Sequence, residues 1–183
     1  MSQPDLSKAH IEIVKDEADW DLIYKAALFT AGLRPKHKEP TSEWKKKILL
    51  SEHSPIYIGR VFFIVKDVPA FVNGHLVRHN VGTLPYIQSQ REDLHPVEVT
   101  PDRNTLQNGL YIVNFEAIIN ISRKRLCRKA SIETRYVWKL FLDELRKYEP
   151  ELADICVPNC VYRNKCPEFK TCGYFDEYLR NNK

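Results

Sequence analysis

The order of strand-like and helix-like segments constrains this chain most. Residues 10–14 alternate apolar and polar, and residues 60–66 (RVFFIVK), 86–91 and 110–115 carry β-branched and aromatic runs. Such runs suit a pleated, half-buried surface and predict strands. Between them lie helix patterns. Residues 16–30 place Trp20, Ile23, Tyr24, Ala27 and Leu28 at helical spacing. Thr41 can cap a helix reaching residue 52, and Pro55 stops it. Pro69 suits the first turn of a helix over 69–78. Residues 116–125 predict another helix. Residues 129–148 predict the longest, with Ile132, Val137, Leu140, Phe141 and Leu145 as its core face and Pro150 at its end. Strands and helices mix without strict βαβ alternation. This favours an α+β fold, a central and mostly antiparallel sheet flanked by helices, over a doubly wound parallel sheet. Residues 33–40 and 95–109 are polar and proline-bearing and are expected to be loops. The 183 residues suit one domain. Residues 1–155 are expected to form its body, with a cysteine-rich, irregular tail over 156–183 packed on it.

Glycine usage excludes two common nucleotide-binding devices. The six glycines stand at 32, 59, 74, 82, 109 and 173, so neither GxGxxG nor a Walker loop can be drawn. No apolar run approaches the roughly 18 residues of a membrane span, and the first twenty residues lack a basic-then-apolar leader. A cytoplasmic protein with no membrane partner is the expectation. The net charge of +4 is compatible with an anionic partner without requiring one.

Four groups of residues could carry chemistry. In LVRHNVGTLPYIQSQRED (76–93), Arg78, His79, Thr83, Ser89 and Arg91 surround a turn with Gly82 and Pro85. Guanidinium forks beside hydroxyls suit phosphate oxygens; a solvated loop is the plain alternative. Over 122–129, five of eight residues are basic and none acidic. At a helix end such a run needs an anion or an acidic surface nearby, or else is a solvated basic face. His53, before Pro55, says little alone. Cys160, Cys166 and Cys172, with Cys156 or with Cys127 in its place, could ligate zinc, or could be reduced thiols in a compact tail. No local Ser–His–acid triad, HExxH or EF-hand loop occurs.

Taken in order, these pieces resemble the flavin-dependent thymidylate synthase family. The family's hallmark is R-H-R-x-x-S-x-N-E-x-S-x-R; this chain opens with Arg78-His79 and closes with Ser89-Gln90-Arg91. His53 before Pro55 resembles the family's histidine ahead of its second strand. Asn114, Asn120 and Arg125 fall at the spacing of its flavin-binding asparagines and nucleotide-binding arginine. Ala130 and Glu133 match the start of the next helix. The resemblance runs over about 45–148.

It implies a homotetramer with shared active sites, using FAD, NADPH as reductant, methylenetetrahydrofolate and dUMP to make dTMP. It also implies roles. His53, His79, Asn114 and Asn120 would bind flavin, with His53 also lining the folate pocket. His75, Arg78, Ser89, Gln90, Arg91 and Arg125 would bind the nucleotide. Arg125 would serve the chemistry by polarising the pyrimidine, with His53 as the second catalytic residue. The basic run would then face nucleotide and flavin phosphates.

The chain also departs from the pattern. Asn80 replaces the second hallmark arginine, the span to Ser89 is one residue longer, and Pro85, Tyr86 and Gln88 fill the region of the Asn-Glu pair. His75 stands for a glutamine and Glu116 for a flavin-contacting arginine. The segment over 92–109 is short and lacks a phosphate-binding arginine, for which Arg103 could substitute. These changes bear on substrate more than fold. They leave open dCMP as substrate and a 5-hydroxymethyl product, 5-hydroxymethyl-dUMP or 5-hydroxymethyl-dCMP. The reading from another class is a small basic zinc-containing module that binds nucleic acid through residues 123–129. It leaves the ordered matches at His53, Arg78 and Asn114 unexplained.

Overall fold

A computed structural model describes residues 6–34, 39–91, 93 and 100–181. Its centre is a four-stranded sheet of β1 (His10–Glu17), β2 (Arg60–Pro69), β3 (Thr83–Ile87) and β4 (Leu106–Asn114), ordered β1-β2-β4-β3. Every hydrogen-bonded pair is antiparallel. β2 and β3 therefore run parallel with β4 between them, and helix α3 (Ala70–Leu76) is the crossover that joins them. The strand β2 alternates as its sequence demands: Val61, Phe63 and Val65 are buried and Phe62 and Ile64 half-buried. A bulge before Val68 puts Asp67 at φ 54°, and the Asn108 side chain fastens it by accepting from the Asp67 amide at 2.9 Å.

The buried face of the sheet meets α3, α4 (Phe115–Arg125) and α5 (Ile132–Leu145). Phe63 stacks on Tyr111 at 5.4 Å and packs on Phe141 at 4.2 Å. Trp138 donates its indole N–H to Ser122 Oγ at 2.9 Å, and Ser122 in turn donates to the Ile118 carbonyl. A buried tryptophan and serine thus satisfy each other within an apolar core. On the other face, register aligns Phe62, Ile112 and Leu84, and Ile64, Leu110 and Tyr86. Leu84 and Tyr86, on the edge strand β3, are more than half exposed.

The remaining elements are α1 (Trp20–Thr30), α2 (Ser42–Leu50), a 3-10 turn (Ser54–Tyr57), α6 (Pro150–Ile155), α7 (Asn159–Tyr162) and α8 (Tyr174–Asn181). The α+β expectation holds, and Thr41 caps α2 by accepting from the Trp44 amide. Several boundaries differ. Residues 16–17 complete β1, because pairing with β2 outweighs their helical pattern, and Asp19 caps α1. The third strand lies at 83–87 rather than 86–91, since pairing with β4 sets its register. Residues 106–109 extend β4 instead of a loop; most of 92–99 lies outside the described residues. Ser131 caps α5, which starts at Ile132, three residues later than expected, and Ile132 is exposed. Pro150 opens α6, as proline can at a first turn. The tail is not wholly irregular, because α7 and α8 form within it.

One buried carboxyl predicts how stability varies with pH. Trp20 donates its indole N–H to both Glu149 oxygens, at 2.9 and 3.1 Å. Burial, and then the charge of Asp16, pushes Glu149 up from 4.5 to about 8. The folded chain therefore holds this proton more tightly than the unfolded one. The contribution is fully present below pH 4.5 and is lost as pH rises through about 8. Thermal melts should show the melting temperature falling across that window, a loss that Glu149→Gln should largely remove. A wild-type optimum above pH 8 would contradict this.

Candidate functional site

The segment linking α3 to β3 is folded onto the C-terminal end of α4. The His79 amide donates to the Leu76 carbonyl at 3.0 Å, and Gly82 turns the chain at φ 72°. The Asn114 amide donates to the Gly82 carbonyl, while Asn114 Oδ1 caps α4 by accepting from the Ala117 amide at 2.8 Å. One asparagine thus ties the turn to the helix start, and eleven residues later the helix delivers Arg125.

Arg125 donates from Nε to His79 Nε2 at 2.9 Å and from its terminal nitrogen to the His75 carbonyl. A guanidinium stays protonated. His79 Nε2 must therefore accept, and the ring proton sits on Nδ1. Burial first, then Arg125 and Lys124, pushes His79 down to about 4. The imidazole is neutral near pH 7, with its Nδ1–H available to a partner.

The second imidazole is held from the opposite side. His75 Nδ1 lies 2.8 Å from Thr134 Oγ1, which lies 3.0 Å from Ser131 Oγ, and Ser131 donates to Glu133 at 3.0 Å. Burial is the first cause that lowers His75, followed by the charges of Arg125, Arg78 and Arg103, with Glu133 opposing. Burial and then Arg78 lower Arg125 as well. Arg103 lies over the Phe71 ring at 4.7 Å. Among the described residues, no carboxylate forms an ion pair with Arg78, Arg103, Lys124 or Arg125. Gathered guanidiniums without counter-ions beside neutral imidazoles make a site for an anion that also offers hydrogen-bonding edges.

A cleft of about 200 Å³ adjoins the turn, lined by Tyr57, Arg60, Asn80, Thr83, Leu84 and Asn114, among others. Thr83 Oγ1 is buried there without a partner. A Cβ on Gly82 would stand 2.6 Å from the Asn114 side chain, so the floor of the cleft requires glycine.

The structure gathers only part of the expected set. His75, Arg78, His79 and Arg125 form one cluster, and Asn114 lines the adjoining cleft. His53 is exposed and precedes the 3-10 turn without a side-chain capping bond. Asn120 is engaged by Glu116 and Arg123. Ser89 Oγ accepts from the Arg91 amide, and Arg91 pairs with Asp93 in its own turn. Gln90 keeps a buried amide nitrogen without a partner. The basic run is less free than its sequence implies. Arg123 pairs with Glu52 beneath the Tyr162 ring, and Arg128 pairs with Glu177. Thr134 and Ser131, which position His75, carried no signal beyond that of a helix cap. Among the described residues, no three His, Cys, Asp or Glu side chains are placed to hold a single metal ion. The expected zinc site at Cys127, Cys160, Cys166 and Cys172 is therefore not assembled.

No family model matches the chain, and no curated protein matches it in sequence. Solved structures do match. One is the flavin-dependent thymidylate synthase ThyX from Helicobacter pylori, complexed with FAD and dUMP. It has 14% identity and a TM-score of 0.66, over 81% of this chain and 99% of that one. Another is the UMP/dUMP methylase PolB from Streptomyces cacaoi, bound with 5-Br dUMP. It has 16% identity and a TM-score of 0.65, over 84% of this chain and 95% of that one. The chain shares their fold.

Proposed function

We propose that this chain transfers a one-carbon unit from methylenetetrahydrofolate to C5 of a pyrimidine deoxynucleotide, converting dUMP to dTMP. FAD is the proposed cofactor and NADPH the proposed reductant. The observation that carries this reading is the Arg78–Arg125 pair, without a carboxylate partner among the described residues, around two neutral histidines. It lies at the turn where the resemblance expects the nucleotide, in a fold shared with a dUMP-complexed enzyme.

The residues of the cleft suit a flavin. Asn114 keeps its amide nitrogen free of the helix cap, Thr83 Oγ1 is an orphaned buried hydroxyl, and Arg60 and Asn80 add donors. Bound in reduced form, FAD would supply the hydride that completes the methyl group. The chain's own residues do the rest. Arg78 and Arg125 offset nucleotide charge and polarise the pyrimidine carbonyl. His79, fixed as the Nδ1–H tautomer, donates a hydrogen bond without adding charge. His75, oriented through Thr134 and Ser131, presents its Nε2 edge. Gln90 offers its unpaired amide, while Arg91 must exchange Asp93 for a ligand before it can take part.

A cleft of this size holds only part of a dinucleotide, which agrees with active sites shared between subunits. The apolar sheet face of Phe62, Ile64, Leu84, Tyr86, Leu110 and Ile112 suits burial against further copies. A homotetramer by light scattering is the expected result.

The test is a flavin titration. FAD should bind at micromolar concentration, and its visible band should respond to dUMP more than to dCMP. Mass spectrometry after adding NADPH and methylenetetrahydrofolate should find dTMP; a product one oxygen heavier would instead identify a hydroxymethylase. Failure to bind flavin at micromolar concentration would overturn the reading. The nucleic-acid alternative is weakened by Arg123 and Arg128, whose charges are already paired.

A further inference from the structure

The groups behind His75 fix which of its ring nitrogens carries the proton. His75 sits in the last turn of α3, half-buried, with its ring edge-on to Phe71 at 5.6 Å. Its Nδ1 lies 2.8 Å from Thr134 Oγ1. Thr134 is fully buried, so its hydroxyl must find its partners within the protein. Thr134 Oγ1 lies 3.0 Å from Ser131 Oγ, and Ser131 Oγ lies 3.0 Å from Glu133 Oε2.

Hydrogen-bonding capacity gives this row a direction. An ionised carboxylate only accepts, so Ser131 gives its one hydroxyl hydrogen to Glu133. Ser131 Oγ already accepts from the Thr134 amide at 3.2 Å. Its remaining lone pair accepts from the Thr134 hydroxyl. Thr134 Oγ1, having donated, is left to accept from His75 Nδ1–H. Burial and the nearby guanidiniums hold His75 down, so the ring is neutral near pH 7 and carries that one proton. Nε2 is then a bare acceptor, with no hydrogen-bond partner among the described residues.

The side chains beside that acceptor are donors. Arg125 donates to the His75 carbonyl, and Arg78 and Arg103 are close enough to act on the ring's charge. His79 accepts from Arg125 at Nε2 and so offers its Nδ1–H. An acceptor set among donors matches a base edge that reads acceptor, donor, acceptor. Uracil presents that order in O2, N3–H and O4. Cytosine in the same pose would set its N3 lone pair against the Nε2 lone pair and its amine against a guanidinium.

We propose that the row Glu133–Ser131–Thr134 fixes His75 as an Nε2 acceptor and so selects a uracil base over a cytosine base. Thr134, fully buried, is a positioning residue that acts through His75. The selection rests on the nucleotide reading above, whereas the tautomer is observable without any ligand.

The test has two arms, both on the full chain. Nitrogen-15 NMR of the histidine rings at neutral pH, without nucleotide, should show His75 protonated at Nδ1 and bare at Nε2. Its signals are those lost in His75→Ala. Thr134→Val keeps the shape and removes the hydroxyl, so the proton should move to Nε2 or divide between the two nitrogens. Thr134→Ser should restore the parental pattern. Glu133→Gln should also mix the forms, because an amide can donate to Ser131 as well as accept. Calorimetry with FAD present should find dUMP bound about 10- to 100-fold more tightly than dCMP by the parent and by Thr134→Ser. That ratio should fall about 10-fold in Thr134→Val. His75 protonated at Nε2 in the parent, equal affinity for the two nucleotides, or a base ratio unmoved by Thr134→Val would each overturn the inference and leave the proposed reaction standing. A parent that binds neither nucleotide would overturn the reaction, and the selection with it. The parental tautomer and base ratio decide the matter even if Thr134→Val fails to fold.

Discussion

An Arg125→Ala variant should turn over dUMP about 100- to 1000-fold more slowly than the parent while keeping its fold. That is the usual cost of removing one preorganised donor at a developing charge. The fold should survive because Arg125 is only half-buried and its partners are a neutral imidazole and a backbone carbonyl. Arg125→Lys should fall between, since it retains charge but lacks the planar fork that reaches both partners. A second readout separates this role from a structural one. Without the guanidinium, His79 loses a charge that holds it down, so its titration should move upward from about 4, though burial, the larger cause, remains. The ring C–H resonances followed by NMR against pH would record the shift. Near-parental turnover with His79 still titrating near 4 would remove Arg125 from the site.

How far the sequence led depended on whether neighbours in the chain are neighbours in space. The strand β2 was legible because RVFFIVK is buried by its own composition. The helix α4 was legible because a basic run ends it, but its cap was not, since Asn114 read as part of a strand. The strand β3 was not. Its five residues include Pro85 and several exposed side chains, and only pairing with β4 makes them a strand. The same limit applies to the site. Arg78, His79 and Arg125 could be named from the resemblance, yet their contact spans 46 residues of chain and depends on how α4 lies against the turn. The fates of Arg123 and Arg128 were set by Glu52 and Glu177, which are too distant in sequence to announce themselves. The cysteine tail was half legible. The cysteines were countable, but that four of them line one cavity came only with the fold.

Gly82 joins fold and site most tightly, and Gly82→Ala should cost both. At φ 72° an alanine is strained by roughly 1–2 kcal/mol. Its Cβ would also stand 2.6 Å from the Asn114 side chain, which cannot move away without releasing the Ala117 amide. Losing that cap adds about 1 kcal/mol. Together these give about 2–3 kcal/mol, or a melting temperature lower by roughly 4–12 °C in a domain of this size. Flavin affinity should fall as well, because the displaced asparagine is one of the donors in the cleft. A double-mutant cycle isolates the clash. Asn114→Ala alone should cost about 1 kcal/mol, as a lost cap does. Combined with Gly82→Ala it should cost less than the sum, since the asparagine that the new methyl strikes is gone. If the two costs add, or if Gly82→Ala melts with the parent, the turn does not bear on the helix start. The route from Gly82 through Asn114 and α4 to Arg125 would then have to be redrawn.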